Sequence, residues 1–344
     1  MYSSDIYNQI INCWNRVGKP LGSLGKLEPI VAQIGAIQGR TNAQINRRLL
    51  IVLCADNGII QEGVSQTGSE VTSKVADSIA KGSGNISAFC KVAKCDTQVV
   101  DIGMEYDAMQ PNVINKKIAR GTGNILTSPA MSFEQMEEAI HVGISLMQKA
   151  KKKGYSVVCT GEMGIGNTTT SSAMASVLLR LPPEKVTGRG AGLPDYMYHH
   201  KIDVIRRAIG FHQPDFSDPK EVLSKFGGFD IAGMVGLYLG AEKHGLPIII
   251  DGIISLVAAF TATLISPTSR QYMIASHMGK EPACQYLLDA MNLSPCICAD
   301  LSLGEGTGAV ALLPLIDMAL SVYHRGATFN QLNIPAYEEF DKKS

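Results

Sequence analysis

The segment YSVVCTGEMGIGNTTTSSA, residues 155–173, decides the predicted fold, because it joins a strand pattern to a helix pattern through a glycine-rich turn. Residues 155–160 form a short and mainly apolar run, which is typical of a strand that is covered on both faces. Residues 170–181 have the pattern of a helix, which must end before Pro182. A strand followed by a turn and a helix is the repeating unit of a parallel α/β sheet.

Five other apolar runs share the character of residues 155–160 and are separated from one another by helix patterns. The clearest helix is predicted over residues 133–152, where Ser132 and Gln135 form a capping box and Gly154 follows as a stop signal. This alternation predicts an α/β fold with a doubly wound, mostly parallel six-stranded sheet that has helices on both faces. The predicted strands are residues 49–55, 97–102, 155–160, 247–251, 272–276 and 295–300.

Both ends of the chain have helix patterns with no strand between them, at residues 7–17, 27–38 and 310–323. We expect these helices to pack on one another as a small helical domain. Further helices are predicted in the middle of the chain over residues 170–181, 230–244 and 281–291. The predicted organisation is an N-terminal helical segment (1–45), a large Rossmann-like α/β domain (46–310) and a C-terminal helical segment (311–344).

The 344-residue chain has 31 Lys and Arg against 31 Asp and Glu, so its formal net charge is zero. A neutral chain lacks the basic excess of a nucleic-acid-binding protein, and 45% hydrophobic residues exclude intrinsic disorder as the main state. The N-terminus has no signal-peptide pattern, and the apolar run 246–265 contains Asp251 and Gly252, which favours a buried strand and helix over a membrane span. We therefore expect a cytoplasmic protein without nucleic-acid or membrane partners.

The eight cysteines include no Cys-x-x-Cys pair and suggest no disulfide framework, which favours a reducing compartment. Cys296 and Cys298 alternate along a predicted strand and would point to the same side, so a site for a soft metal is one interpretation. Burial of both thiols as small apolar side chains is the other interpretation, and we favour it.

Ligands of a parallel sheet bind beyond the carboxyl ends of its strands. Nearly every predicted strand of this chain ends in a polar or glycine-rich turn, and each turn alone is consistent with a helix cap. Six such turns at one edge of a sheet predict a binding site there. The turns are Asp56-Asn57-Gly58, Asp101-Ile102-Gly103, Gly161-Glu162, Asp251-Gly252, Ser276-His277 and, after Asp300, Gly304-Glu305-Gly306.

The turn within residues 161–173 is suited to an anion, because its glycines allow close approach and its polar residues begin a helix. It has no Gly-Lys-Ser/Thr sequence, and the chain has no GxGxxG in its first strand–helix turn, so a monophosphate or a carboxylate is expected rather than ATP or a dinucleotide. A second glycine loop at residues 188–192 and a third at 120–123 either serve the same purpose or are simple turns.

Two glutamates, Glu162 and Glu305, are flanked by glycine and follow predicted strands. An apolar pocket would raise the pKa of such a carboxyl group towards the range of a general base. His277 is the alternative base, although a histidine at a strand end also occurs for structural reasons.

Seven motifs in one order resemble those of the nicotinate-nucleotide–dimethylbenzimidazole phosphoribosyltransferase family, whose members act in cobalamin lower-ligand assembly. The resemblance covers nearly the whole chain, and it implies a large doubly wound domain, a small helical domain from both termini and a homodimer. The motifs are RVGKPLGSLGKLE (16–28), ADNGIIQEGVS (55–65), GEMGIGNTTTSSA (161–173), GRGAG (188–192), GGFDIAGMVG (227–236), IIIDG (248–252) and LSLGEGTGA (301–309).

The resemblance implies transfer of the phosphoribosyl group of nicotinate mononucleotide to a benzimidazole nitrogen, with loss of nicotinate and inversion from β to α. It assigns Glu305 as the general base and Glu162 as a second carboxylate that orients the acceptor or stabilises positive charge on the ribose. It implies no metal and no organic cofactor. Residues 164–168 and 188–192 would hold the phosphoribosyl group, with Lys201 near the phosphate, and Ser65 and Leu303 would border the acceptor.

The full set of expected substrate-binding residues combines this resemblance with the strand-end turns. These residues are Ser65, Gly164, Ile165, Gly166, Asn167, Thr168, Arg189, Gly190, Ala191, Gly192, Lys201, Asp251, Ser276, His277 and Leu303.

The chain departs from the family pattern at two places. Asn57 stands where the family has histidine, and Met-Gly-Lys-Glu (278–281) follows His277 where the family has a small polar run and a further histidine. The acceptor is therefore open between dimethylbenzimidazole, another benzimidazole, adenine and a phenol. A hydrolase that uses the same donor, or a nucleotide-binding protein without catalysis, is the alternative function.

Overall fold

Six parallel strands form one sheet in the computed structural model, which describes residues 2–337. They lie in the order β3-β2-β1-β4-β5-β6, which confirms the predicted doubly wound parallel sheet. The strand order reverses between β1 and β4, which is where ligands of such sheets bind. The strands are β1 (Arg48–Ala55), β2 (Asp96–Gly103), β3 (Ile114–Asn115), β4 (Val157–Met163), β5 (Ile248–Ile250) and β6 (Met273–Ala275).

The predicted strand at residues 295–300 is wrong, and a different segment supplies the sixth strand. Residues 295–300 reach the sheet only through an isolated bridge between Ile297 and His277, after the last residue of β6. Strand β3 has two residues, too few for any periodic pattern. The expected burial of both thiols in 295–300 is also wrong, because Cys298 is exposed and Cys296 is half-buried.

All seven helices predicted over stated ranges form, and those at 27–38 and 133–152 have the predicted bounds. The helices over residues 70–80, 85–93, 183–186, 195–212, 219–226 and 329–332 were not predicted. Ser132 and Gln135 form the expected capping box. Within residues 2–337 the helices are α1 (Ser4–Trp14), α2 (Leu27–Gln38), α3 (Glu70–Ala80), α4 (Asn85–Ala93), α5 (Phe133–Lys152), α6 (Asn167–Leu179), α7 (Pro183–Val186), α8 (Asp195–His212), α9 (Pro219–Phe226), α10 (Phe229–His244), α11 (Ile253–Ile265), α12 (Ala283–Ala290), α13 (Thr307–Arg325) and α14 (Phe329–Leu332), with short 3-10 turns at Gly58–Glu62 and Pro267–Tyr272.

Helix α6 begins three residues earlier than predicted, at Asn167 instead of Thr170. Two of its hydroxyls bond back to the helix itself, those of Thr170 and Ser172, which donate to the carbonyl O atoms of Asn167 and Thr168. This local bonding satisfies these two hydroxyls inside a buried helix, so a run of polar residues that resembles a loop is helical here.

Strand β1 separates two hydrophobic cores, because its side chains alternate between the two faces of the sheet. Leu49, Ile51 and Leu53 face the core formed with α5, α6, α10 and α11. Leu50 and Val52 face the core formed with α1, α2, α4 and α13. Each of these side chains is fully buried, which contributes roughly 1.5–3 kcal/mol per residue to folding.

Helices from the two ends of the chain pack on the same face of the sheet. Helix α2 contacts both α1 and α13, and all three share their core with residues of β1. The boundaries expected at residues 45 and 310 stay a prediction. Residues 338–344 of the predicted C-terminal segment lie outside the described residues.

Among residues 2–337, helix α13 is long and apolar enough to cross a membrane by length and composition alone. Half of its most apolar stretch is buried inside the protein, and it packs on α2, α4 and β4. We interpret α13 as a core helix on this packing. The apolar run 246–265 forms β5 and α11, which are buried as expected.

Candidate active site

A cavity of about 470 Å³ lies beyond the carboxyl ends of β4, β5 and β6. It brings together most of the predicted site residues, which come from six separate segments of the chain. Gly192, Lys201 and Ser276 are the predicted members that do not line it. The predicted residues in its wall are Ser65, Glu162, Gly164, Ile165, Gly166, Asn167, Thr168, Arg189, Gly190, Ala191, Asp251, His277, Leu303 and Glu305.

The turn that carries Glu305 has an unusual backbone. Glu305 has φ +60°, in the left-handed region, and its neighbours Gly304 and Gly306 have φ +78° and +91°. A side chain other than glycine pays about 1 kcal/mol in this region, so surrounding contacts must hold the turn in place.

Asp251 supplies those contacts from the end of β5. Its Oδ1 accepts hydrogen bonds from the backbone N–H groups of Gly308 (2.8 Å) and Ala309 (3.1 Å), and its Oδ2 accepts one from Gly306 (3.2 Å). A carboxylate at this position also complements the N-terminus of α13. Both oxygens of Asp251 therefore support the turn of Glu305.

The Glu305 side chain is 8% exposed and reaches the cavity wall. Burial raises its pKa above the ordinary value for glutamate. Its Oε2 atom is buried and has no hydrogen-bond partner among the described residues. A buried acceptor without a partner costs about 1–3 kcal/mol, which a ligand N–H or O–H at this position would recover.

Glu162 ends β4 and belongs to a buried cluster of polar side chains. Asn167 Nδ2 donates to Glu162 Oε2 and also to Asp230 Oδ2, the latter at 3.0 Å. Burial, followed by the nearby Asp230 charge, raises the pKa of Glu162 to about 8. Burial likewise raises the pKa of Asp230 to about 6. The raised pKa favours the neutral carboxyl form of Glu162, and the role expected for it as a carboxylate stays a prediction.

Asp230 is a residue that the sequence reasoning missed. It lies behind Asn167 at the start of α10, and it is fully buried. The available signal was its position in GGFDIAGMVG, where a charged residue interrupts a glycine-rich and apolar run.

The turn from Gly164 to Thr168 presents the first residues of α6 to the cavity. Gly166 has φ +95°, and a Cβ built there would lie 2.8 Å from Cγ2 of Ile60. Glycine is therefore required at this position for both its conformation and its contact with Ile60. The arrangement leaves the N-terminal end of α6, which favours an anion, facing the cavity.

Lys201 lies behind this turn instead of in the cavity wall. Its ammonium donates to Thr168 Oγ1 (3.0 Å) and to the carbonyl O of Gly188 (3.2 Å), and the side chain is 0% exposed. Burial lowers the pKa of Lys201 to about 8. The charge of Lys201 acts on the cavity from behind the turn at 164–168 and the loop at 188–192. Its two hydrogen bonds connect these two segments.

The loop at residues 188–192 holds a carboxylate that was not predicted. The backbone N–H of Gly190 donates to Glu281 Oε1 at 3.0 Å. Arg189 pairs with Asp195 and lies over the ring of Tyr198, with 4.9 Å between guanidinium carbon and ring centroid. The loop thus binds an anionic group of the protein itself, which fits its predicted preference.

The two departures from the family pattern differ in position. Lys280 and Glu281 line the cavity. Asn57 does not, because it lies behind Ile165, whose carbonyl O accepts from Asn57 Nδ2 at 3.4 Å. The Oδ1 atom of Asn57 is buried without a hydrogen-bond partner. Of the two departures, the segment after His277 is the one that lines the cavity.

Other predicted turns at the sheet edge lie away from the cavity. Asp56 accepts from Thr72 Oγ1 and from the backbone N–H of Glu105, and Asp101 pairs with Lys117 at 3.2 Å. The glycine loop at 120–123 lies outside the cavity as well. The polar residues of these turns therefore make structural contacts, which was the alternative interpretation of each turn taken alone.

The other wall residues that the sequence reasoning did not assign are mainly apolar or small. Leu303 and Ser65, which were predicted to border the acceptor, lie among them. Besides Lys280 and Glu281, the wall residues that were not assigned are Val64, Gln66, Thr67, Val75, Met163, Leu193, Gly252, Ile253, Ile254, Ser255, Gly279, Cys284, Leu301, Ser302 and Gly304. Within residues 2–337, no group of three or more His, Cys, Asp or Glu side chains is arranged to hold a metal ion.

Comparisons with known proteins show the family of this chain. A phosphoribosyltransferase family model matches residues 2–334. The chain is 42% identical over 323 residues to the nicotinate-nucleotide–dimethylbenzimidazole phosphoribosyltransferase of Ruminiclostridium cellulolyticum, covering 94% of this chain and 92% of the relative. It is 37% identical to the Escherichia coli enzyme of the same name, covering 92% and 88%.

A solved structure is also similar to this chain. The crystal structure of the nicotinate-nucleotide–dimethylbenzimidazole phosphoribosyltransferase from Thermus thermophilus superposes with a TM-score of 0.90 at 32% identity. The match covers 97% of this chain and 99% of that one. On its sequence, its fold and the residues around its cavity, this chain belongs to the nicotinate-nucleotide–dimethylbenzimidazole phosphoribosyltransferase family.

Proposed function

We propose that the protein transfers the phosphoribosyl group of nicotinate mononucleotide to dimethylbenzimidazole or a related lower-ligand base. The products are α-ribazole phosphate, or its analogue, and nicotinate. The observation that carries this proposal is the buried Oε2 atom of Glu305, a residue of the cavity wall, which has no hydrogen-bond partner among the described residues. The N–H of an azole is the partner that this atom lacks.

The reaction requires a general base and does not require a general acid. Nicotinate leaves from a pyridinium nitrogen, which accepts the electron pair of the broken C1′–N bond and needs no proton. The unprotonated nitrogen of the azole ring forms the new bond to C1′ from the opposite face, and the N–H of the other ring nitrogen passes its proton to Glu305. The raised pKa of Glu305 suits it to this proton transfer.

Glu162 has a different part in this mechanism. Burial raises its pKa and favours the neutral carboxyl form in the free protein. The positive charge of the donor pyridinium favours the carboxylate form, which then stabilises positive charge on the ribose in the transition state. Asn167 holds the carboxyl group in position for either form.

The phosphate of the donor would lie at the first turn of α6 and at the 188–192 loop. Backbone N–H groups and the helix N-terminus provide short-range attraction for an anion. The buried charge of Lys201 behind Thr168 and Gly188 adds to that attraction. This arrangement lets a chain of zero net charge bind an anionic substrate.

The activity is tested by incubating the purified protein with nicotinate mononucleotide and dimethylbenzimidazole and following both products. We expect Glu305→Gln to lower kcat by at least about 100-fold, the usual contribution of a general base. Glu70→Gln, which replaces an exposed glutamate outside the cavity, is the matched control and should retain full activity. A Glu305→Gln enzyme with normal turnover would contradict the assignment of the base.

The same experiment separates the alternatives. A hydrolase would release ribose phosphate and nicotinate without an acceptor, and a binding protein would retain the nucleotide without turnover. Assays with other benzimidazoles, adenine and phenols identify the preferred acceptor. Substitution of Lys280 and Glu281 then tests whether this segment of the cavity wall selects that acceptor.

We also propose that the protein is a cytoplasmic homodimer. All eight cysteines are free thiols, which supports a reducing compartment. The resemblance to the family implies the homodimer, in which a second copy would cover part of the surface of this chain. Light scattering in solution should give twice the mass of the chain, and a monomer at micromolar concentration would contradict the dimer.

A further inference from the structure

His277 and Ser276, at the end of β6, form a hydrogen-bonded pair whose protons can be assigned. Ser276 Oγ lies 2.6 Å from the carbonyl O of Ile250 and 2.9 Å from Nδ1 of His277. A serine hydroxyl has one proton, and the carbonyl O can only accept. That proton therefore belongs to the contact with Ile250, so Nδ1 of His277 must carry a proton and donate it to Ser276.

The ring of His277 is held in a narrow space against the first turn of α13. A Cβ built on Gly308 would lie 1.9 Å from Nδ1, so the ring packs directly on the backbone there. Built Cβ atoms on Gly252 and Gly279 would lie 4.0 and 3.7 Å from Nε2. The side chain is 4% exposed and belongs to the cavity wall.

The Nε2 atom has no hydrogen-bond partner among the described residues. In the neutral ring, protonation of Nδ1 leaves Nε2 with a lone pair and no proton. The cavity wall thus contains a fixed nitrogen acceptor between Gly252 and Gly279, separate from the carboxylates of Glu162 and Glu305.

We propose that Nε2 of His277 accepts a hydrogen bond from a ribose hydroxyl of the nucleotide donor. This inference rests on the proposed function. The phosphate dianion and the carboxylate of nicotinate mononucleotide can only accept hydrogen bonds, and its pyridinium nitrogen carries no proton. The two ribose hydroxyls are its hydrogen-bond donors, and the azole N–H is already matched to Glu305.

The role that follows for His277 is selection of the ribose against its deoxy forms. A site built to bond a hydroxyl rejects an analogue without it, because the buried acceptor is then left without a partner. Ser276 is a positioning residue in this arrangement, since it sets the proton on Nδ1. Its hydroxyl faces Ile250 and His277 and lies outside the cavity wall.

The test compares binding of nicotinate mononucleotide and its 2′-deoxy and 3′-deoxy analogues by calorimetry, without an acceptor, so that it does not depend on turnover. We expect one of the two deoxy analogues to bind the wild-type protein about 10- to 100-fold more weakly than the normal donor. His277→Phe keeps a flat ring and should bind both with the same, weaker affinity. If His277→Phe discriminates against that analogue as strongly as the wild type, the proposal is wrong.

A second measurement does not depend on whether His277→Phe folds. The ¹⁵N shifts of the wild-type imidazoles, with the His277 signal identified from its change in Ser276→Ala, report which nitrogen carries the proton. A proton on Nδ1, with Nε2 shifting when the normal donor binds, supports the proposal, and a proton on Nε2 overturns it. Failure of the proposed function is a separate result: donor binding without any product.

Discussion

Replacement of Asp251 by asparagine tests whether the turn of Glu305 is held in place from β5. Asp251 accepts three backbone hydrogen bonds from Gly306, Gly308 and Ala309, and it uses both carboxylate oxygens to do so. Asparagine has one carbonyl oxygen and one amino group of similar size. It can retain the bonds from Gly308 and Ala309, but its amino group then faces the N–H of Gly306.

The expected magnitude follows from these contacts. The variant loses one hydrogen bond to a charged group, worth about 1.5–3 kcal/mol, and leaves the N–H of Gly306 buried without an acceptor. It also loses a negative charge at the N-terminus of α13, worth about 0.3–1 kcal/mol. We expect the free energy of unfolding to fall by about 2–4 kcal/mol in total.

Because Glu305 has φ +60°, release of this turn lets the residue relax away from its position in the cavity. We expect kcat to fall by about 10- to 100-fold, which corresponds to loss of about 1.4–2.8 kcal/mol in the transition state. The assay measures kcat and KM for both substrates, together with urea unfolding of the same preparation.

Asp101→Asn is the matched control for this prediction. Asp101 is a buried carboxylate at the end of β2, where it accepts from the N–H of Met104 (3.0 Å) and pairs with Lys117. It does not line the cavity, so the control should lose stability and keep kcat. If Asp251→Asn also loses stability with an unchanged kcat, the proposed link between Asp251 and the position of Glu305 is refuted.

Two further predictions concern buried groups of the site. The pKa of Glu162 is raised to about 8, so between about pH 5 and 8 the folded protein keeps a proton that the unfolded chain releases. The free energy of unfolding should fall with rising pH by up to about 1.4 kcal/mol per pH unit. Urea unfolding at several pH values should give Glu162→Gln a weaker dependence of this free energy on pH, and an equal pH dependence in both proteins would contradict the raised pKa. Lys201→Met removes a charge behind Thr168 and Gly188, and we expect KM for the donor to rise about tenfold with a smaller change in kcat. Lys185→Met, at an exposed position nearby, should leave KM unchanged, and a normal KM in Lys201→Met would rule out a contribution of this charge to donor binding.

Much of the fold was predictable because local patterns and tertiary contacts agree. Residues 133–152 have their own capping box and apolar stripe, so α5 has the predicted bounds. The apolar run of β1 needs cover on both faces, and the two cores provide it. The strand predicted at 295–300 failed because an apolar run indicates burial as readily as a place in the sheet, and these residues lie only at the end of β6.

The candidate site was predictable to a similar extent. Glycine-flanked glutamates and polar strand ends pointed to the cavity, since the carboxyl ends of parallel strands lie on one edge. Contacts between distant segments had no such signal. The bond from Gly190 to Glu281 joins loops 91 residues apart, and the shared Asn167 joins Glu162 to Asp230.

By itself the sequence determined the α/β class, the family and the two glutamates, because these depend on residue types in short segments. Only the tertiary structure decided which of the candidate residues line the cavity. Lys201 and Asn57 lie behind the glycine turn, while Glu281 reaches the cavity. The raised pKa of Glu162 was decided in the same way, since burial and the nearby Asp230, from another segment, disfavour the charged form.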